Sequence, residues 1–140
     1  MQHPLLIKNI EQHIKLDPSE IEFLLPLFNA RTIKKKEFLL QAGDICFTEN
    51  FIVKGCLRLY SIDENGFEHI VMFGIEDWWM GDLYSFLTLT PSAYFIDALE
   101  ETEVLQISKT SLEKLYAELP KFERFFRIKF QNAFIAQQNR

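Results

Sequence analysis

The sequence predicts an α+β fold that is mainly β: a sandwich or jelly-roll barrel, with helices before it and a long helix after it. Three observations carry this. Between Ala30 and Ser108, short apolar runs alternate with turn residues at close spacing, the pattern of many short strands. The longer stretches of apolar residues at helical spacing lie at the two ends of the chain. Phe accounts for 14 of the 140 residues, enough to fill a core with large flat side chains.

At the N-terminus Leu5, Leu6, Ile10 and Ile14 fall on one helical face, predicting an amphipathic helix over residues 3–15. A second helix starts at Asp17-Pro18-Ser19-Glu20: Asp17 caps, Pro18 suits the first turn and Glu20 completes a capping box. Its buried stripe is Ile21, Leu24 and Leu25, and Pro26 weakens it soon after.

The period then changes. Thr32-Ile33 and Glu37-Phe38-Leu39-Leu40 read as strands around Lys34-Lys35-Lys36, a solvated basic turn. Gly43-Asp44 marks a further turn. Phe51-Ile52-Val53 and Cys56–Tyr60 are strands around Lys54-Gly55, where Gly55 permits a tight bend. Asp63-Glu64-Asn65-Gly66 predicts a hairpin closed by a two-residue Asn-Gly turn. The returning strand alternates Phe67, His69, Val71 and Phe73 with Glu68, Ile70 and Met72.

Next comes Trp79-Met80-Gly81-Asp82-Leu83, with Gly81 allowing a close backbone approach. Asp82 opens a short helix whose apolar face is Leu83, Phe86 and Leu87, and Thr90-Pro91 ends it. Tyr94–Leu99 and Glu103–Ile107 are the last strands. Ser108 caps a helix to about Glu118, and Pro120 opens the final one. There Phe122, Phe126, Phe130 and Phe134 form a stripe too apolar for water alone; it must cover the barrel, pair with another chain, or both, and a homodimer through it is expected.

Composition narrows the function. A net charge of −5 argues against the whole chain being a nucleic-acid binder. Cys46 and Cys56 are too few for a disulfide framework or a four-thiolate cluster and read as buried reduced thiols. No secretory signal and no run long enough for a membrane helix is present, so a cytoplasmic protein without membrane contact is expected. His69 stands alone on its strand, so no metal site is expected, and no nucleophile–base pair marks a catalytic site.

The stretch from Gly81 through Ser92 resembles the phosphate-binding cassette of cyclic-nucleotide-binding domains, above all in Crp/Fnr-type bacterial transcription regulators. The same resemblance covers Leu39–Asp44, Phe51–Gly55 with Arg58, Asp63–Gly66, and the strand pair from Ala98 to Ile107 with its following helix. It implies a double-stranded β-helix (jelly-roll) effector domain with its N-terminal helices over residues 1–118 and a dimerisation helix over 119–140. It further implies an unknown small-molecule effector, and DNA binding only through a C-terminal helix-turn-helix that has no counterpart here. The ligand-binding residues would be Gly81, Asp82, Leu83, Ser92 and Ala93, a degenerate set. Nucleotide-binding members carry Glu where Asp82 stands and a phosphate-pairing Arg where Ser92 stands, with a small hydroxyl residue often at the position of Ala93. Ser lacks the bidentate charge pairing of Arg.

The surrounding sequence points the same way. From Leu59 to Ser108 there is no Lys or Arg, while acids stand at 63, 64, 68, 76, 77, 82, 97, 100, 101 and 103. Arg58, or the last helix, is the remaining source of a cation for a bound phosphate. No cofactor is therefore expected, and a cyclic nucleotide is disfavoured. A stand-alone dimeric interaction domain is the alternative reading, and a cupin-like enzyme is disfavoured by the few histidines.

Overall fold

Thr102–Ser108 forms β8, the strand around which the first of two sheets is laid. In the computed structural model, which describes residues 3–138 and side chains through Gln131, β8 lies between β1 (Asn29–Ile33) and β3 (Thr48–Lys54), and β3 also pairs with β6 (Trp79–Met80). The second sheet runs β2 (Phe38–Leu40), β7 (Phe95–Ala98), β4 (Leu57–Ile62) and β5 (Glu68–Gly74). Every pairing is antiparallel.

The strand order is that of the expected jelly roll, with one correction. No ladder joins an edge of one sheet to an edge of the other among the described residues, so the sheets form an open sandwich and not a closed barrel. The short edge strands β2 and β6 offer too few backbone groups to close it.

The sandwich core follows from register. Leu57 pairs with Ala98 and Leu59 with Ile96, placing four buried side chains on one face of the second sheet. That face meets the first sheet: a Cβ on Gly74 would lie 2.5 Å from Met80 Cε and 2.9 Å from Ile52 Cδ1. Arg58, Tyr60, Phe95 and Asp97 occupy the opposite, outer face. At Gly55, φ is +113° and a Cβ would fall 2.4 Å from Thr102 Oγ1, so glycine is required there twice over.

The Asp63–Gly66 hairpin forms, but not with a two-residue turn. Asp63 N–H donates to Phe67 O at 2.9 Å, which closes a three-residue loop with Gly66 at φ +85°. The Asp63 carboxylate accepts from the N–H groups of Asn65 and Phe67 and contacts His69 Nε2 at 2.7 Å, a geometry that selects the longer loop. His69 is thus an exposed hairpin residue, and its hydrogen bond, before those of the backbone, holds the Asp63 carboxyl below its usual value.

The strand unit spans residues 28–109, and the helices form a second unit from residues 1–27 and 110–140. The expected boundary at 118–119 therefore falls inside the helical unit. Its elements are α1 (Pro4–Glu11) and α2 (Pro18–Leu24), with α4 (Lys109–Glu118) and α5 (Lys121–Gln138) from the end of the chain; α3 belongs to the strand unit and is described below. The first helix is shorter than the expected 3–15. The capping box at α2 is complete, with Asp17 Oδ1 accepting from Glu20 N–H and Glu20 Oε1 from Asp17 N–H, both at 2.9 Å.

The phenylalanine stripe of α5 is the main correction here. Phe122 and Phe126 are buried within the chain itself, as is Phe125, which packs against His13 at 5.9 Å between ring centroids. Phe130 is half-buried and lies against Phe126. The side chain of Phe134 lies outside the described residues. Two members of the expected interface are therefore core of the helical unit.

Candidate functional site

The cassette-like stretch is built as a turn, a one-and-a-half-turn helix and a return. β6 delivers the chain to Gly81, and α3 (Leu83–Thr88) follows. Asp82 caps α3, its Oδ1 accepting from Ser85 N–H at 3.2 Å. Leu89 ends the helix in the left-handed region at φ 55°. Phe86 is fully buried, Leu83 half-buried and Leu87 exposed, so the apolar face is narrower than its spacing predicts.

Asp82 and Ser92 meet directly. Ser92 Oγ donates to Asp82 Oδ2 at 2.5 Å and accepts from Tyr94 N–H at 3.0 Å. Both residues are buried. Asp82 thus serves both as a helix cap and as the acceptor for the hydroxyl at the position where the resemblance called for a cation. Ala93 beside it is exposed and takes no part.

The loop between β2 and β3 is tied to both ends of the cassette. Gly43 N–H donates to Ser92 O and Ser92 N–H to Asp44 O, each at 2.8 Å, and Ile45 bridges to Pro91. Further along, Cys46 N–H donates to Ser85 Oγ at 2.8 Å, and that hydroxyl donates to Thr90 O at 2.6 Å. Burial, ahead of all other causes, pushes the Cys46 thiol up to about 11.

Glu49 of β3 was not foreseen. It is 4% exposed, and its carboxyl, which makes no hydrogen bond among the described residues, keeps a residual contact with solvent. The backbone of Gly81 lies against it: a Cβ there would come within 2.7 Å of Glu49 Oε1. Gly81 is accordingly a close-approach glycine, and the group it approaches is an acid. Desolvation first, then the Asp82 charge, pushes the Glu49 carboxyl up to about 8. A sequence signal existed, since Glu49 shares its face of β3 with Phe51 and Val53, an acid on an apolar stripe.

Arg58 does not supply the missing cation. Its Nε and Nη2 hold Asp97 at 3.1 and 2.8 Å, Nη1 holds Glu68 at 2.9 Å, and the guanidinium lies 3.9 Å above the Tyr60 ring centroid. Asp97, then Glu68, raises the Arg58 pKa still further, so the charge is permanent and already paired. The pair also sits on the outer face of its sheet. Trp78 is exposed, whereas Trp79 packs between Phe28 and Phe51 at 6.1 and 5.3 Å. Among the described residues no group of three or more His, Cys, Asp or Glu is placed to hold a metal ion.

Comparison with known proteins accords with this geometry. Residues 30–118 match the family described as cyclic nucleotide-binding domain. The anaerobic regulatory protein of Haemophilus influenzae is 31% identical over 96 residues, 67% of this chain and 36% of that protein. The chain therefore spans little more than a third of that relative's length. Among solved structures, a cyclic nucleotide-binding domain from Methylobacillus flagellatus superposes with a TM-score of 0.83 at 15% identity, covering 98% of this chain and 78% of its own. The sensor domain of the transcriptional regulator DNR from Pseudomonas aeruginosa does so with a TM-score of 0.76 at 14% identity, covering 96% and 89%. At such identities these likenesses show the fold. The family and these neighbours are regulators and binding domains, not enzymes. The chain belongs to the cyclic nucleotide-binding domain family, with Crp/Fnr regulators among its homologues.

Proposed function

We propose that this is the effector-sensing domain of a Crp/Fnr-like transcription regulator whose cassette does not hold cyclic AMP or cyclic GMP in the family's usual way. The observation that carries this is the Ser92–Asp82 hydrogen bond at 2.5 Å, which occupies the place of a phosphate–cation contact with a neutral donor and a carboxylate. A cyclic phosphate keeps its negative charge at neutral pH. Bringing it beside Asp82 without a cation would cost several kcal/mol. The N-terminus of a helix as short as α3 returns only about 0.3–2 kcal/mol. A small neutral or apolar effector fits this site better. The sensor-domain description of the DNR neighbour supports the regulatory reading. On this reading the protein works in the cytoplasm, and DNA contact belongs to a further domain. Self-association through α5 would use Phe130, since Phe122 and Phe126 are already buried.

The test is titration calorimetry with cyclic AMP and cyclic GMP on the wild type and on Ser92→Arg. No heat from the wild type at micromolar concentrations, with binding gained in the variant, is the expected result. Micromolar binding by the wild type overturns the reading.

A further inference from the structure

The Glu49 carboxyl has no role in the reading above, yet it is the group most at odds with its surroundings. It is 96% buried by residue surface, it makes no hydrogen bond among the described residues, and the Gly81 backbone rests on it. The groups around it come from several elements. From the head of α3 comes Asp82, and from the β2–β3 loop the Cys46 thiol, which feels the charges of both acids. On β8 the partner of Glu49 is the apolar Ile107, and on β6 the nearest paired residue is Met80, opposite Asn50. Asp82 is the charged group acting on Glu49, and among the described residues no cation does.

Two carboxylates so close, both largely buried and with no cation among the described residues, cannot both ionise cheaply. Asp82 is the better placed to carry the charge, because it accepts from Ser85 N–H and Ser92 Oγ. Among the described residues Glu49 has no donor to stabilise an anion. It therefore stays in place as the neutral acid.

We propose that Glu49 is a proton-operated latch on the cassette: neutral, it lets the Gly81 turn lie against β3, and on losing its proton to solvent beside Asp82 it drives that turn and α3 off the strand. The position of the turn would thus be coupled to proton binding, whatever effector the domain senses. The direction follows from linkage. The folded carboxyl holds its proton more tightly than the unfolded one, so the stabilisation is complete below the ordinary carboxylate range. It is lost as pH rises toward about 8 and is level beyond that.

The experiment uses the whole chain. The side-chain carboxyl carbon of Glu49 is followed by NMR from pH 5 to 10, assigned by its loss in Glu49→Gln. Amide exchange of residues 81–88, corrected for intrinsic rate, is measured over the same range and referred to β8. In the wild type the Glu49 carbon should titrate above pH 7, and protection of residues 81–88 relative to β8 should fall tenfold or more between pH 6 and 9. In Glu49→Gln the protection should stay level. A Glu49 carbon titrating between pH 4 and 5 overturns the proposal, as does a level wild-type profile or an unchanged pH response in Glu49→Gln. Should that variant not fold, the wild-type carbon, assigned through its backbone connectivity, still decides.

Discussion

Replacing Phe126 by Ala separates two uses of the same helix. Phe126 is 1% exposed, meets Phe125 edge-on at 5.0 Å between centroids and contacts Tyr116 at 6.2 Å and Phe130 at 5.8 Å. Truncating a fully buried Phe costs about 3–5 kcal/mol, lost aromatic pairs included. At an unfolding entropy of about 2 cal/mol/K per residue, a chain of 140 residues has a total near 0.3 kcal/mol/K, so the melting temperature should drop by about 10–17 °C. The two units can be followed separately. Far-UV circular dichroism weights the helices, while Trp78 and Trp79 both report from the strand unit. The loss should be largest in the helical signal. Phe130→Ser, at a half-buried site, should cost less stability and instead weaken any self-association seen in sedimentation. If Phe126→Ala melts within about 3 °C of the wild type and loses a dimer instead, then Phe126 is an interface residue and the internal packing has been misassigned.

Two further outcomes test the strand unit. Gly55→Ala meets Thr102 Oγ1 and its Cα within 3 Å at a positive φ, so it should cost about 1–3 kcal/mol or more, read from urea unfolding followed by tryptophan fluorescence. With the Cys46 thiol pushed up to about 11, iodoacetamide at pH 8 should label half-buried Cys56 and leave Cys46 unmodified until denaturant is added; mass spectrometry of the labelled peptides checks this, and equal labelling of the native protein would refute the burial argument.

Much of the architecture was legible because it is written locally. The Asp17–Glu20 capping box, the Asp82 cap and the alternating strands each depend on neighbours in sequence, and each is in place. What was not legible depends on distant partners. Asn65-Gly66 looked like a two-residue turn because the competing hydrogen bonds, which the Asp63 carboxylate accepts from the N–H groups of Asn65 and Phe67 and shares with His69, involve a side chain whose direction no pattern reveals. For the stripe of α5, periodicity gives a face but not what covers it, and Phe122 and Phe126 are covered within the chain. In the candidate site, Gly81, Asp82 and Ser92 were identified from the sequence and do converge. Glu49 was missed because the strand was read from Phe51, which left the acid outside it; β3 starts at Thr48, and Gly81 packs onto the acid from thirty-odd residues away.

The central place of β8 has a consequence for how the chain acquires its structure. Asn29 pairs with Gln106 and Thr48 with Ser108, so both inner ladders of the first sheet close loops of many tens of residues. Loop closure of that length is an entropic barrier to be crossed before the ladders stabilise anything, and topologies of this kind fold slowly compared with helical bundles. Until Thr102–Ser108 has been synthesised, β1 and β3 have no strand between them and present open edges. A nascent chain stalled short of that point is the species most exposed to aggregation, and the sandwich becomes protected only when its last strand inserts into the middle of the sheet.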